Sequence, residues 1–362
     1  VDIVRCVEGT EIALFLKEIA GGKVRGNLRS KSQLDISGVA RQMGGGGHTA
    51  AAGFTAEGTI DDVFTQIVPL LHDVVSRVRR AFGEKRVGHA GTLDPNASGV
   101  LVVGIGLATK LLGLLTLDRK GYVADISFGA RTSTDDADGQ VVATAAVPEN
   151  LFDEEFARAA CTKLVGTVDQ LPPAVSAISV DGKRAYQLVR EGKMPELAAR
   201  RVSIYEATLL AVRKPSTTDE SLVWTVAFDV SKGTYIRSIA RDLGQSLGTE
   251  AHISGLRRTF SGPITLGSCA LLEELEQSPA QVLEAKRLNP TEVLGYPVHR
   301  LTAAEYKCVE VGKRFGIPED LSEIAHNSLV SLVWNETLVG IWSRQGSCLV
   351  CQTNFSQGIL CK

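Results

Sequence analysis

The sequence lacks any uninterrupted hydrophobic run long enough to read as a membrane span. Its most apolar stretch, Val100–Leu117, is broken by Lys110 and by Gly104, Gly106 and Gly113. A span needs about 20 predominantly apolar residues. This stretch reads instead as a buried strand, Val100–Val103, turning into a helix. No membrane association is expected, and no secretory leader is visible. Cysteine is scarce and unpatterned: Cys6, Cys161, Cys269, Cys308, Cys348, Cys351 and Cys361. An odd count without framework spacing points to reduced thiols and a cytoplasmic chain. Cys348 and Cys351 form a Cys-x-x-Cys, but a zinc site wants a second pair. They sit in an apolar, strand-like run and read as core cysteines, so no metal is expected. There is no internal repeat and no low-complexity tract. There is also no excess of charge of one sign, with 39 Lys/Arg against 41 Asp/Glu.

That balance hides local bias. Residues 73–132 hold nine basic and five acidic side chains, and residues 231–260 hold five and two. Contact with phosphate needs a local excess of this kind rather than a basic whole. A length of 362 residues suggests two or three domains. The pattern predicts an α/β module over 1–71, a mixed α+β domain over 72–262 and a third region over 263–362. The first carries a helix-like stretch at 11–19, a strand at 23–29, a Gly-rich turn at 44–47 and an amphipathic helix near 61–71. The second carries strands at 122–128 and 222–230 and a helix at 235–247. The third begins with helices at 271–275 and 280–287. It ends in strands at 329–334, 338–343 and 348–352, with Trp334 and Trp342 read as core. Nothing near residue 71 reads as a linker, because Ile67–Leu71 runs straight into His72-Asp73-Val74-Val75.

In the first segment Gly44-Gly45-Gly46-Gly47-His48 stands out. Glycines let backbone N–H groups approach an anion closely, and a histidine adds a donor. Leu28-Arg29-Ser30-Lys31 precedes it, with Leu34-Asp35-Ile36 and Ala40 between, and Ala51-Ala52-Gly53-Phe54 follows. The ordered set resembles the C-terminal, DHH-associated domain of DHH-family phosphoesterases. The resemblance implies a phosphate contact at Gly45, Gly46, Gly47, His48 and Arg29. The family's metal-binding Asp/His clusters are not in this sequence, and hydrolysis needs them to activate water. A phosphoesterase fragment is therefore the weaker of the readings.

In the second segment Asp94 lies in a tight turn, Gly88-His89-Ala90-Gly91-Thr92-Leu93-Asp94-Pro95, followed by Gly99. Pro95 biases Asp94 away from helix. Arg237, after the Ser231-Lys232-Gly233-Thr234 turn, begins a helix and suits a carboxylate partner. Tyr122 and Tyr235 offer flat faces for an unstacked base. Asp135, Asp136 and Asp138 form an acidic cluster that has the look of a cation site.

Around these residues run Val100-Leu101, Ala108-Thr109-Lys110, Lys120-Gly121-Tyr122, Gly129–Gly139, Gln170-Leu171-Pro172-Pro173, Gly182–Tyr186, Arg190-Glu191-Gly192 and Leu256-Arg257-Arg258. This ordered series resembles the TruB-type tRNA pseudouridine-55 synthases. The resemblance implies a mixed-sheet α+β pseudouridine synthase core followed by a small β-rich, PUA-like domain from about residue 297. It implies that Asp94 is the nucleophile and that Arg237 pairs with it. Tyr122 would stack on the target base and assist the closing proton removal. His89 would contact the flipped-out RNA, Leu256 would line the base pocket, and Tyr235 and Arg257 would bind substrate. It implies tRNA, through its T-arm, as partner, a monomeric chain and no cofactor.

The sequence departs from that family at one place. A Lys-Pro-x-Gly-x-Thr/Ser-Ser stretch normally precedes the His-Asp-Val-Val segment, and Ile67–Leu71 stand there instead. A non-catalytic tRNA-binding protein is therefore the alternative to an active isomerase.

Overall fold

The computed structural model describes residues 12–30, 36–48, 51–71, 74–94, 97–115, 117–176, 178–180, 183–185, 188, 197–215 and 221–361. The motif segments 181–182, 186–187 and 189–196, together with His72, Asp73 and Pro95, lie outside the described residues. The chain divides into two units, Val1–Arg77 and Val78–Lys362. Residues 78–262 and 263–362 fall within the same unit. Mostly antiparallel sheets and short helices make the whole α+β.

In the first unit four antiparallel strands lie in the order Ile12–Ile19, Lys23–Ser30, Ala51–Glu57, Gly46–His48. The described part of the stretch at 11–19, expected to be helical, is therefore a strand, Ile12–Ile19. Its burial alternates accordingly: Leu14 and Leu16 pack on the core while Phe15 and Lys17 are exposed. The helices Ile36–Gln42 and Ile60–Leu71 contribute Ile36, Val39, Ala40, Val63 and Ile67 to a core with Val24, Leu28, Ala52 and Phe54. Thr59 and Asp62 cap the second helix reciprocally, at 2.9 Å and 3.2 Å.

The Gly-rich run is only partly a turn, because Gly46–His48 pair with Ala51–Gly53. Gly47 has φ of 146°, and a Cβ there would stand 2.5 Å from the Ala52 Cα. Close strand approach thus accounts for glycine at this position without a ligand.

The second unit is built on a seven-stranded sheet. Gly166–Gln170, Arg200–Arg213, Val223–Ser231, Arg119–Phe128, Ala251–Ser261 and Ile264–Thr265 follow one another, and Ser98–Gly99 pairs parallel to Arg257–Arg258. Alternation sets its core. Tyr122, Ala124, Ile126 and Phe128 share one face with Trp224, Val226, Phe228 and Val230. The helices Glu154–Thr162 and Ile236–Ser246 bury that face. Each large side chain so buried stabilises by about 1.5–3 kcal/mol. Trp224, wholly buried, also donates its Nε1–H to the Leu151 carbonyl at 2.9 Å. Cys161 is buried in the same core as a free thiol, and burial pushes its pKa up to about 11.

Beyond residue 262 the helices Leu272–Gln277 and Pro279–Lys286 lead into a five-stranded sheet. Its order is Val298–Arg300, Leu329–Trp334, Thr337–Gln345, Cys348–Leu360, Phe315–Gly316. The last long strand outruns the expected 348–352, since its second half pairs with Thr337–Ile341. Trp342 is wholly buried, and half-buried Trp334 stacks on Tyr306 at 4.9 Å. Cys348 and Cys351 are half-buried free thiols.

The apolar Val100–Leu117 stretch joins these parts of the second unit. Val100, Val102 and Leu117 enter one core cluster, and Leu111 enters another with Leu338, Ile341 and Phe355. The strand Val102–Ile105 runs into a 3-10 turn, Gly106–Leu111. No helix among the described residues is long and apolar enough to cross a membrane.

Candidate active site

Asp94 follows the strand Val87–Ala90, and its carbonyl accepts from Ala97 N–H at 2.9 Å to close the turn. The chain then joins the large sheet at Ser98–Gly99. Gly99 has φ of 102°, and a Cβ there would meet the Arg258 carbonyl oxygen at 2.1 Å. Only glycine permits this seam, which anchors the downstream end of the Asp94 turn.

The Asp94 carboxylate is one-third exposed and accepts from Arg237 Nη2 at 2.8 Å. Arg237 is almost wholly buried in the first turn of the Ile236–Ser246 helix. Its Nη1 faces the Asp136 carboxylate at 3.3 Å and donates to the carbonyls of Thr134 at 2.9 Å and Val175 at 3.3 Å. A guanidinium held on three sides fixes the carboxylate on the fourth.

Buried Gln170 anchors that helix's entry. Its Oε1 accepts from Tyr235 N–H at 2.8 Å and its Nε2 donates to the Tyr235 carbonyl at 3.1 Å. The next residue's carbonyl, Leu171, accepts from Ser238 Oγ and Arg241 Nη2, each at 2.9 Å. Gln170→Ala leaves the Tyr235 N–H unpaired, while the Tyr235 carbonyl keeps its bond from the Ile239 N–H, a cost of about 1–3 kcal/mol. The misplacement of Arg237 is expected to lower turnover about 10–100-fold. Urea unfolding and product assays on the same preparation check both effects.

Tyr122, on the strand Arg119–Phe128, is buried opposite Arg258. Burial raises its phenol pKa, Asp94 adds to the rise, and Arg258 opposes it. Leu256 lies opposite Ala124 and packs on the main core. Arg257 pairs with Val123, so it lies on the face opposite to Tyr122. His89 is exposed on its strand, opposite Val103. Half-buried Tyr235 has the Arg200 guanidinium 5.8 Å from its ring centre.

The sequence reading assigned no role to Gln170 or Arg258. Both lie inside quoted motifs, but their type gave no sign of what they bond. Lys120, two residues before Tyr122 on its strand, is held below the usual lysine range by burial and by the charges of Arg258 and Lys232.

The acidic cluster is not an open cation site. Asp136 meets Arg237, and it also accepts from Thr134 Oγ1 at 2.5 Å and Asp138 N–H at 3.1 Å. Asp135 meets Arg241 at 3.0 Å, yet burial outweighs that partner and raises its pKa. Arginines hold the Asp135 and Asp136 carboxylates that a metal would need. In the first unit Arg29 and His48 both pair with Ala51, and so lie on one face of that sheet. Arg29 donates to the Leu28 carbonyl at 2.9 Å, and His48 is exposed.

Comparison with known proteins adds three family matches. Residues 79–236 match the profile described as TruB family pseudouridylate synthase (N terminal domain). Residues 237–294 match the tRNA pseudouridylate synthase B C-terminal domain, and residues 1–77 match the DHHA1 domain. Curated relatives include tRNA pseudouridine synthase B of Thermobifida fusca (strain YX), 46% identical over 244 residues. That alignment covers 67% of this chain and 81% of the relative. The protein of the same name from Mycobacteroides abscessus is 48% identical over 242 residues, covering 67% and 79%.

Among solved structures, an archaeal box H/ACA sRNP Nop10-Cbf5 complex matches with a TM-score of 0.54 at 22% identity. The match covers 78% of this chain and 81% of that one. An H/ACA RNP bound to a substrate RNA containing 2'-deoxyuridine matches at 0.53 and 21%, covering 78% and 80%. At such identity the structural likeness establishes the fold alone.

Proposed function

Because the chain belongs to the TruB family of pseudouridine synthases, we propose that it isomerises the T-loop uridine-55 of tRNA to pseudouridine. The observation that carries this reading is the Asp94–Arg237 pair, a carboxylate held at 2.8 Å by an almost wholly buried guanidinium. The reaction breaks the N1–C1′ bond, forms the C5–C1′ bond, removes a proton from C5 and leaves one on N1. Asp94 acts at the ribose, by a covalent adduct or by assisting elimination, and so divides the exchange into two steps.

The target uridine leaves its stack to reach the site. Tyr122 supports its base and takes the closing proton, Leu256 lines the pocket, and His89, Tyr235 and Arg257 contact the RNA. No redox change or group transfer occurs, and no cofactor or metal is assigned. The chain acts as a monomer in the cytoplasm, with the C-terminal sheet as a PUA-like grip on the tRNA. In the first unit, Arg29 with Gly45, Gly46, Gly47 and His48 contacts phosphate without hydrolysing it.

Incubation with unmodified tRNA followed by pseudouridine mapping tests the reading. Product at one T-loop position is expected. Bound tRNA without product would favour the non-catalytic alternative, which the replacement of the Lys-Pro segment by Ile67–Leu71 motivates.

A further inference from the structure

Arg258 is wholly buried. No carboxylate lies within ion-pair distance of it among the described residues. Burying a cation without an anion costs several kcal/mol unless the surroundings replace its water. Three backbone carbonyls do so: Val100 accepts from Nε at 2.7 Å, Thr92 from Nη1 at 3.3 Å and Gly91 from Nη2 at 3.0 Å. Two of these belong to the turn that carries Asp94. The strand register sets Arg258 directly across from Tyr122, on the same face. A leucine or methionine of similar length would fill the same space without the desolvation cost. The charge itself therefore calls for a use.

We propose that Arg258 is the positioning residue for the closing step: it anchors the Gly91–Thr92 turn and sets a positive charge beside the Tyr122 oxygen, where a phenolate must form. The proposal rests on the reading of Tyr122 as the closing base. In that step C5 carries both its hydrogen and the new bond to ribose. The proton passes to the phenolate oxygen, the C–H electron pair restores the ring double bond, and the phenol later returns the proton to water.

The charged groups facing Tyr122 define the balance. Lys120 lies two residues before it on its own strand, Arg258 faces it from the strand Ala251–Ser261, and Asp94 faces it from the turn, already paired with Arg237. Phe228, opposite on the other neighbouring strand, carries no charge. Burial and Asp94 oppose the phenolate, and Arg258 favours it. A neighbouring cation favours the ionised form of an acid.

The test is the pH profile of single-turnover pseudouridine formation in the full chain, with tRNA whose target uridine carries hydrogen or deuterium at C5. Arg258→Gln removes the charge, so the rate is expected to rise only at a pH about one to three units higher. A C5 isotope effect should emerge, because proton removal becomes limiting. Arg258→Lys keeps the charge, and its profile should stay within about one unit of the native chain even though its rate falls. An Arg258→Gln profile that matches the native one, with no isotope effect, would mean that Arg258 is architectural only and would overturn the proposal. If Arg258→Gln does not fold, Arg258→Lys decides, and a shift well beyond one unit counts against the proposal. Fluorotyrosine at position 122 of the otherwise native chain separates the underlying reading. A profile insensitive to that more acidic phenol would reject Tyr122 as the base, independently of Arg258.

Discussion

Asp94→Asn is expected to leave tRNA binding within a few-fold of native and to slow pseudouridine formation about 10⁴-fold or more, the scale seen when a nucleophile is removed from a concerted site. The amide is nearly isosteric, so the turn should persist. Its ends are fixed elsewhere, by the Ala97 N–H bond to the Asp94 carbonyl and by the Ser98–Gly99 seam. What is lost is the negative oxygen that faces Arg237 at 2.8 Å. An amide oxygen still accepts a hydrogen bond from the guanidinium but cannot act as a carboxylate at the ribose. Single-turnover rates beside filter-binding affinities make the distinction. Full activity in Asp94→Asn would remove this residue from the chemistry altogether.

Arg237→Met is expected to be nearly as damaging, but on two counts at once. The thioether matches the aliphatic stem in volume, so packing is largely kept. The guanidinium, however, pairs with Asp94 and Asp136 and satisfies the carbonyls of Thr134 and Val175. Removing it leaves two carboxylates sharing a partly dry pocket without a cation. Breaking a buried pair costs about 3–5 kcal/mol, and the partial exposure of Asp94 favours the lower end. Urea denaturation should show a loss of about 3 kcal/mol, together with a turnover loss of at least about 10²-fold. Adding Asp136→Asn to Arg237→Met removes one uncompensated charge. It should return part of the stability without returning activity, a coupling that a double-mutant cycle measures. Equal stability of the single and double variants would show that Asp136 does not depend on Arg237.

Much of this was legible from residue order. The strands around Tyr122 and Val226 announce themselves by two-residue alternation, and the Ile236–Ser246 helix by its apolar face. Local periodicity survives because each element buries one face against a common core. The stretch at 12–19 misled for a related reason. A short apolar run fits either period, and only pairing with Lys23–Ser30 selects the strand. The Gly-rich loop invited a phosphate reading, while strand approach at Gly47 already requires glycine. The acidic cluster suggested a cation, but the cations are Arg237 and Arg241, about a hundred residues away along the chain.

The sequence by itself determined which chemistry is available: one aspartate in a constrained turn, one arginine at a helix start and one tyrosine on a core strand. Local bonding and periodicity are encoded within a few residues, and so these could be read directly. Tertiary structure alone decided which groups meet. It placed Gln170 as the clamp on Tyr235. It turned Arg257 away from the Tyr122 face and Arg258 toward it, since adjacent residues on a strand point to opposite sides. It also left Arg258 buried with carbonyls rather than a carboxylate. The physical reason is the same in each case. Charge balance and burial depend on neighbours brought together from distant positions, and no single stretch of chain carries that information.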